Sequence, residues 1–184
     1  MSKILSFGQP LGSIMQTAYV VDDLEAAARK WTKTLGIGPW LLLEHFKADN
    51  MTYYGEPTDM DLSIALAYTG SMCYELVFVH NNDVPNVYAD VVKDKGYGCF
   101  HHWAISTETF DEDVARYKAQ GYDVAFYGEV KPVGGKRFAY IDTRKDNGGM
   151  IELIEISPEV EGLFSMVKDM SENWDGKDII RRPE

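Results

Sequence analysis

The chain has 184 residues, 45% of them hydrophobic and 26% charged, with a net charge of −11. That is enough apolar material for one ordinary domain with a real core. The acidic balance excludes nucleic acid and anionic membrane as main partners, because both require a basic face. No run approaches the ~18 apolar residues of a membrane span. The opening Met1–Pro10 does not read as a signal peptide, because Gly8 and Pro10 break its short apolar run. The expected location is therefore cytoplasmic, with Cys73 and Cys99 as reduced thiols rather than a disulfide framework.

Taken in order, residues 13–21 are β-branched and aromatic and predict a strand. Asp22 or Asp23 then caps a helix in which Leu24, Ala27, Ala28, Trp31 and Leu35 recur at helical spacing, and Gly36 stops it. Trp40 to Phe46 predicts a second strand, and the polar stretch from Lys47 to Met60 predicts a loop over a site. Asp61 to Tyr68 and Met72 to Val79 predict a hairpin turning at Gly70-Ser71. Residues 81–98 predict a linker with a short helix between Val84 and Lys95. The order then restarts. A strand over Cys99–Thr107 is followed by an amphipathic helix over Thr109–Gln120. Strands follow at Tyr122–Tyr127, Lys136–Thr143 and Met150–Ile156. Pro158 opens a last helix, and the polar tail from Ser171 is expected to be partly ordered at best.

The succession strand, helix, strand, strand, strand thus occurs twice, over about 13–80 and 99–156, with residues 157–184 as a C-terminal helix and tail. Gln16 and His102 stand 86 positions apart, and at that spacing Leu24 meets Phe110, Ala28 meets Val114 and Trp31 meets Tyr117. The closing strands echo each other as Tyr74-Glu75-Leu76 and Ile151-Glu152-Leu153. The fold class is α+β: two βαβββ modules forming a curved mixed sheet around a cleft.

Four polar groups occupy corresponding places in otherwise apolar strands: Gln16, Glu75, His102 and Glu152. Carboxylates on apolar strand faces are costly unless paired or bound to a cation, so the repeat points to one shared cation. The alternative is that Glu75 and Glu152 face solvent on the outside of the sheet. Simple alternation puts His102 with Ala104 and Ser106, and places the adjacent His101 on the opposite face with Trp103 and Ile105. Cys99 reads as a small buried side chain. Glu44, beside the expected loop, is a weaker candidate for proton transfer. Trp40, Tyr53, Tyr54, Tyr68, Trp103, Phe126 and Tyr127 could supply an aromatic cleft wall suited to a substrate with an apolar or ring portion.

The ordered set of residues 16–27, Gly36-Ile-Gly-Pro-Trp40, Tyr74-Glu-Leu, Gly98-Cys-Phe-His-His-Trp-Ala and Gly148-Gly-Met-Ile-Glu-Leu-Ile resembles the vicinal oxygen chelate superfamily, the glyoxalase, bleomycin-resistance and methylmalonyl-CoA epimerase group. The resemblance implies a divalent metal (Zn, Mn, Mg, Co, Ni or Fe) held by Gln16, Glu75, His102 and Glu152. It also implies a small-molecule substrate, and often a homodimer. It implies an isomerase, epimerase or lyase that abstracts a proton α to a carbonyl and holds an enediolate, with Glu152 as first choice of base and Glu75 as its counterpart. Positions that bind glutathione in animal-type glyoxalase I hold Val20, Val79 and Gly98 here, so a glutathione-linked substrate is not expected. Gln16 stands where ring-cleaving dioxygenases carry a histidine, which disfavours that chemistry. A metal-free sequestering protein of the bleomycin-resistance kind is the reading from a different class.

Overall fold

The structure is a computed structural model and describes residues 3–183. β1 (Ile14–Val20) leads to α1 (Leu24–Leu35), which starts where the Asp23 carboxylate accepts the Ala26 N–H and ends where Gly36 takes φ 71°. β2 (Trp40–Phe46), β3 (Asp49–Tyr53), β4 (Glu56–Pro57), β5 (Leu62–Thr69) and β6 (Met72–Val79) follow, then α2 (Val87–Lys95). β7 (Cys99–Thr107), α3 (Phe110–Ala119), β8 (Val124–Val130), β9 (Lys136–Ile141), the short α4 (Arg144–Asn147) and β10 (Met150–Glu155) form the second half. α5 (Pro158–Ser171) and β11 (Ile180–Arg181) close the chain.

All strands join one sheet, in the order β11-β2-β5-β6-β1-β7-β10-β9-β8-β3-β4. Its centre is the antiparallel pair β1–β7, and each of these strands is flanked by a parallel closing strand, β6 or β10. The two opening and two closing strands therefore lie side by side in mid-sheet, which brings the four corresponding polar positions together. α1 covers the outer face of the first half over Leu42, Ala65 and Leu76, and α3 covers the second over Ala139 and Leu153. The inner face buries Met15, Val77, Val79, Phe126 and Tyr140 with Phe7, Tyr88 and the α5 residues Val160, Phe164 and Val167.

Two stretches differ from the sequence expectation. Lys47–Met60 is not a loop throughout: it holds β3 and β4, because Asp49, Thr52 and Tyr53 pair with Glu129, Tyr127 and Phe126 of β8. The pairing partner lies far along the chain, and a polar segment without alternation carries no local trace of it. Only Lys47 and Ala48 separate β2 from β3. Three Cα steps span at most about 11 Å, so this link ties β2, next to one edge of the sheet, to β3, next to the other, and curls the sheet. The tail is likewise more ordered than its polarity implies. Ile180 and Arg181 pair with Trp40 and Leu41 as β11, and Arg182 bonds Glu25 and Glu44.

Gly128 of β8 makes one close approach structural: a Cβ there would lie 2.6 Å from Phe138 Cζ. Phe138 lines the cavity inside the curl. Gly128→Ala is therefore expected to destabilise the fold by about 1–3 kcal/mol through overpacking. A urea melt checks this, and an unchanged midpoint would contradict the contact.

Candidate functional site

The alternation along β7 breaks at a β-bulge. Ala18 pairs with His102 and Tyr19 with Phe100, leaving His101 unmatched, so His101 and His102 both turn to the inner face. His101 does not lie opposite His102 as strict alternation implied; both are fully buried. β1 carries the corresponding bulge, since Ile14 pairs with Ile105 and Gln16 with Ala104, and Met15 and Gln16 are both buried. The repeat thus extends to the irregularity: Met15 and Gln16 match His101 and His102.

Gln16, Glu75, His102 and Glu152 converge. Gln16 Nε2 donates to Glu75 Oε2 at 2.8 Å. His102 Nε2 lies 3.3 Å from Glu75 Oε2 and 3.2 Å from Glu152 Oε2. All four residues are at least nine-tenths buried, so Glu75 and Glu152 do not face solvent on the outer side. Gln16 Oε1 is buried without a hydrogen-bond partner.

Hydrogen-bond chemistry fixes which nitrogen of His102 faces the carboxylates. The Val87 carbonyl can only accept, so His101 Nε2 (3.2 Å away) donates to it. His101 is neutral, because burial and then His102 hold its pKa well below the ordinary imidazole value. Its Nδ1 is therefore an acceptor, and His102 Nδ1 donates to it across 2.9 Å. That turns His102 Nε2 toward Glu75 and Glu152, between two carboxylates. Two buried carboxylates converging on one nitrogen are stable only with a cation among them, either a proton on Nε2 or a metal. The unpartnered Gln16 Oε1 adds a fourth donor, so the residues fit a divalent ion with one imidazole, one amide and two carboxylate ligands. Sequence reasoning missed the role of His101, which orients His102 as outer hydrogen-bond partners orient metal-bound histidines. The only available signal was a second histidine beside the first.

With a proton as the cation, burial lowers the His102 pKa, but Glu152 and Glu75 outweigh it and raise it to about 9. Burial likewise raises Glu152, and His102 partly offsets it. For His102 the folded value exceeds the unfolded value of 6.5. Its stabilisation is present in full below pH 6.5 and is lost as pH rises through about 9. Metal-free protein should therefore lose up to about 3 kcal/mol across that window. Urea melts at several pH values check this, and a slope that persists in His102→Gln would refute it.

Gln16, Glu75 and Glu152 line a cavity of about 110 Å³ whose other walls are mostly apolar, among them Phe46, Met51, Leu66, Phe126, Phe138 and Phe164. Of the aromatic residues expected to wall the cleft, Phe126 lines it; Trp40 lies under α1, and Tyr54 is partly exposed and bonds Asp142. Tyr88 and Tyr140 line it instead, their hydroxyls 2.6 Å apart. Glu44 stays outside, paired with Arg182 at 3.0 Å on the surface. Cys99 is half-buried and packs against the inner core.

The sequence profile described as Glyoxalase/Bleomycin resistance protein/Dioxygenase superfamily matches residues 15–140, more than half of the chain. The chain belongs to this superfamily. Among solved structures, this superfamily member is similar to methylmalonyl-CoA epimerase from Mycobacterium tuberculosis (17% identity, TM-score 0.57, 83% of this chain and 93% of that one). It is also similar to a hypothetical protein from Bacillus halodurans C-125 (18% identity, TM-score 0.53, 79% and 94%). At these identities the likeness is one of fold. No curated protein sequence matches the chain significantly. Among the described residues no helix is long and apolar enough to cross a membrane.

Proposed function

We propose that the chain is a metal-dependent isomerase, epimerase or lyase that moves a proton α to a carbonyl of a small organic substrate. The observation that carries this reading is His102 Nε2, turned by the Nδ1 bond to His101 toward Glu75 and Glu152, where the two carboxylates require a cation. Gln16 Oε1, Glu75, His102 and Glu152 would hold the ion. A divalent ion there would act as a Lewis acid, polarising a substrate carbonyl and acidifying the adjacent C–H.

The chain's own groups supply the rest. Glu152 is the base: it is a buried carboxylate in the cavity wall, 3.2 Å from His102 Nε2. Glu75, 3.3 Å from the same His102 nitrogen, is the counterpart that returns a proton. Tyr88 and Tyr140 stay protonated, burial holding both pKa values well above the ordinary phenol value, and they leave hydroxyls in the cavity wall. The apolar walls exclude water. A cavity of about 150 Å³ accommodates a benzene ring, so one of about 110 Å³ accepts a shorter chain or small branched group. Arg137 lies at the wall, but Glu155 and Asp111 engage its guanidinium, so it is not a free anion anchor.

The test is deuterium uptake. Metal-loaded protein is incubated in D2O with short 2-keto acids, ketones and thioesters, and the α-proton signal is followed by NMR. Exchange that disappears with chelation supports the reading. Stoichiometric metal with no exchange on any carbonyl compound would sink it.

A further inference from the structure

We propose that His45, Asp61 and His80 form a second divalent-metal site, on the outer face of the sheet and separate from the cleft. The four histidines of the chain fall into two pairs: one is the buried pair in the cleft, and the other meets at adjacent strand ends. His45 lies in a bulge of β2, Asp61 immediately precedes β5, and His80 immediately follows β6. One donor atom from each of these residues falls within 4.8 Å of the others.

The surrounding bonds hold this arrangement. The Asp61 carbonyl accepts the His80 N–H at 2.8 Å, and the Asp61 N–H donates to Asn81 Oδ1 at 2.7 Å. His45 adopts φ 49°, a left-handed conformation that few non-glycine residues take. Its N–H donates to Ser63 Oγ, and its Nδ1 sits 2.9 Å from both Asp61 oxygens. The His45 and His80 rings stack nearly parallel with centroids 4.3 Å apart, so one ring turns to bring both in-plane lone pairs onto a shared ion. Ser63 Oγ also lies 2.7 Å from His80 Nε2. With Nε2–H donating to Ser63, His80 Nδ1 keeps its lone pair, the state in which metal-binding histidines are held by an outer oxygen.

The site lies on the other side of the sheet from the cleft. Leu62, Ile64 and Leu66 line the cavity, whereas Ala65 and Ala67, on the same face as Ser63, pack under α1. Two imidazoles and one carboxylate suit zinc, nickel, copper or cobalt rather than magnesium or calcium. The net charge of −11 raises the local concentration of such cations.

Chelator-stripped protein is dialysed to equilibrium against zinc(II), and bound metal is counted by elemental analysis. Two zinc ions per chain are expected, falling to one in His45→Ala/His80→Ala with circular dichroism unchanged. In a His102→Ala background one ion is expected to remain, and adding the two outer substitutions removes it. Ser63→Ala should weaken the outer ion roughly tenfold while leaving it bindable at saturation. If wild type binds one ion and His45→Ala/His80→Ala binds none, the outer site stands and the cleft reading fails. If His45→Ala/His80→Ala binds as much zinc as wild type at every concentration, the outer site is refuted.

Discussion

Glu152→Gln is expected to slow α-proton exchange by about 10²–10⁴-fold, the range that a positioned general base contributes. The amide keeps the size and the oxygen of the carboxylate but cannot take a proton. Burial raises the Glu152 pKa in the metal-free protein and a cation beside it lowers it, so the expected loss is ascribed to the missing proton acceptor itself. The same change removes one negative charge next to His102 Nε2, so the cluster binds a divalent ion more weakly. Exchange is therefore measured at saturating metal, with occupancy checked by elemental analysis. Glu75→Gln under the same conditions separates the two carboxylates: whichever variant loses more activity at full occupancy carries the first proton. Equal and undiminished exchange in both variants would mean that neither acts as base.

Much of this cluster was legible in the sequence because it obeys the internal repeat. Gln16 and His102 share an offset with the apolar positions of the two helices, and Glu75 and Glu152 share the Glu-Leu signature of the closing strands. Pairing β1 with β7, each beside its own closing strand, converts that correspondence into convergence. What the sequence hid was non-local or irregular. A bulge inserts one residue and shifts the face of everything before it, so alternation assigned His101 to the wrong side. β3 and β11 owe their existence to partners elsewhere in the sheet, Glu129 to Phe126 and Trp40 to Leu41, and carry weak patterns of their own. α5 reads as an ordinary amphipathic helix, but Val160, Leu163 and Phe164 reach the cavity and set its size. The pairing of His45 with His80 was equally invisible, because it needs β2, β5 and β6 to be neighbours.

His102→Ala in the metal-free protein is expected to cost about 3–5 kcal/mol, the penalty for leaving buried charge uncompensated. His102 is the group that carries the cation between Glu75 and Glu152, and among the described residues no lysine or arginine pairs with either carboxylate. Its removal leaves the carboxylates to repel each other or to take up protons, and it opens a gap beside Tyr140, whose ring lies 4.7 Å from the imidazole. The contrasting variant replaces the charged group as a whole, with Glu75, His102 and Glu152 all changed to leucine. Apolar side chains of similar volume relieve the desolvation of three ionisable groups, so this triple variant should match or exceed wild-type stability while binding no metal in the cleft. The pair of results separates two accounts of the cluster. If it exists to hold the fold together, both variants lose stability. If it exists to hold a cation, the single change destabilises, the triple change does not, and deuterium exchange vanishes in both. Urea melts on chelator-treated protein decide between them, and a loss below about 1 kcal/mol in His102→Ala would show that the buried carboxylates are not coupled through His102.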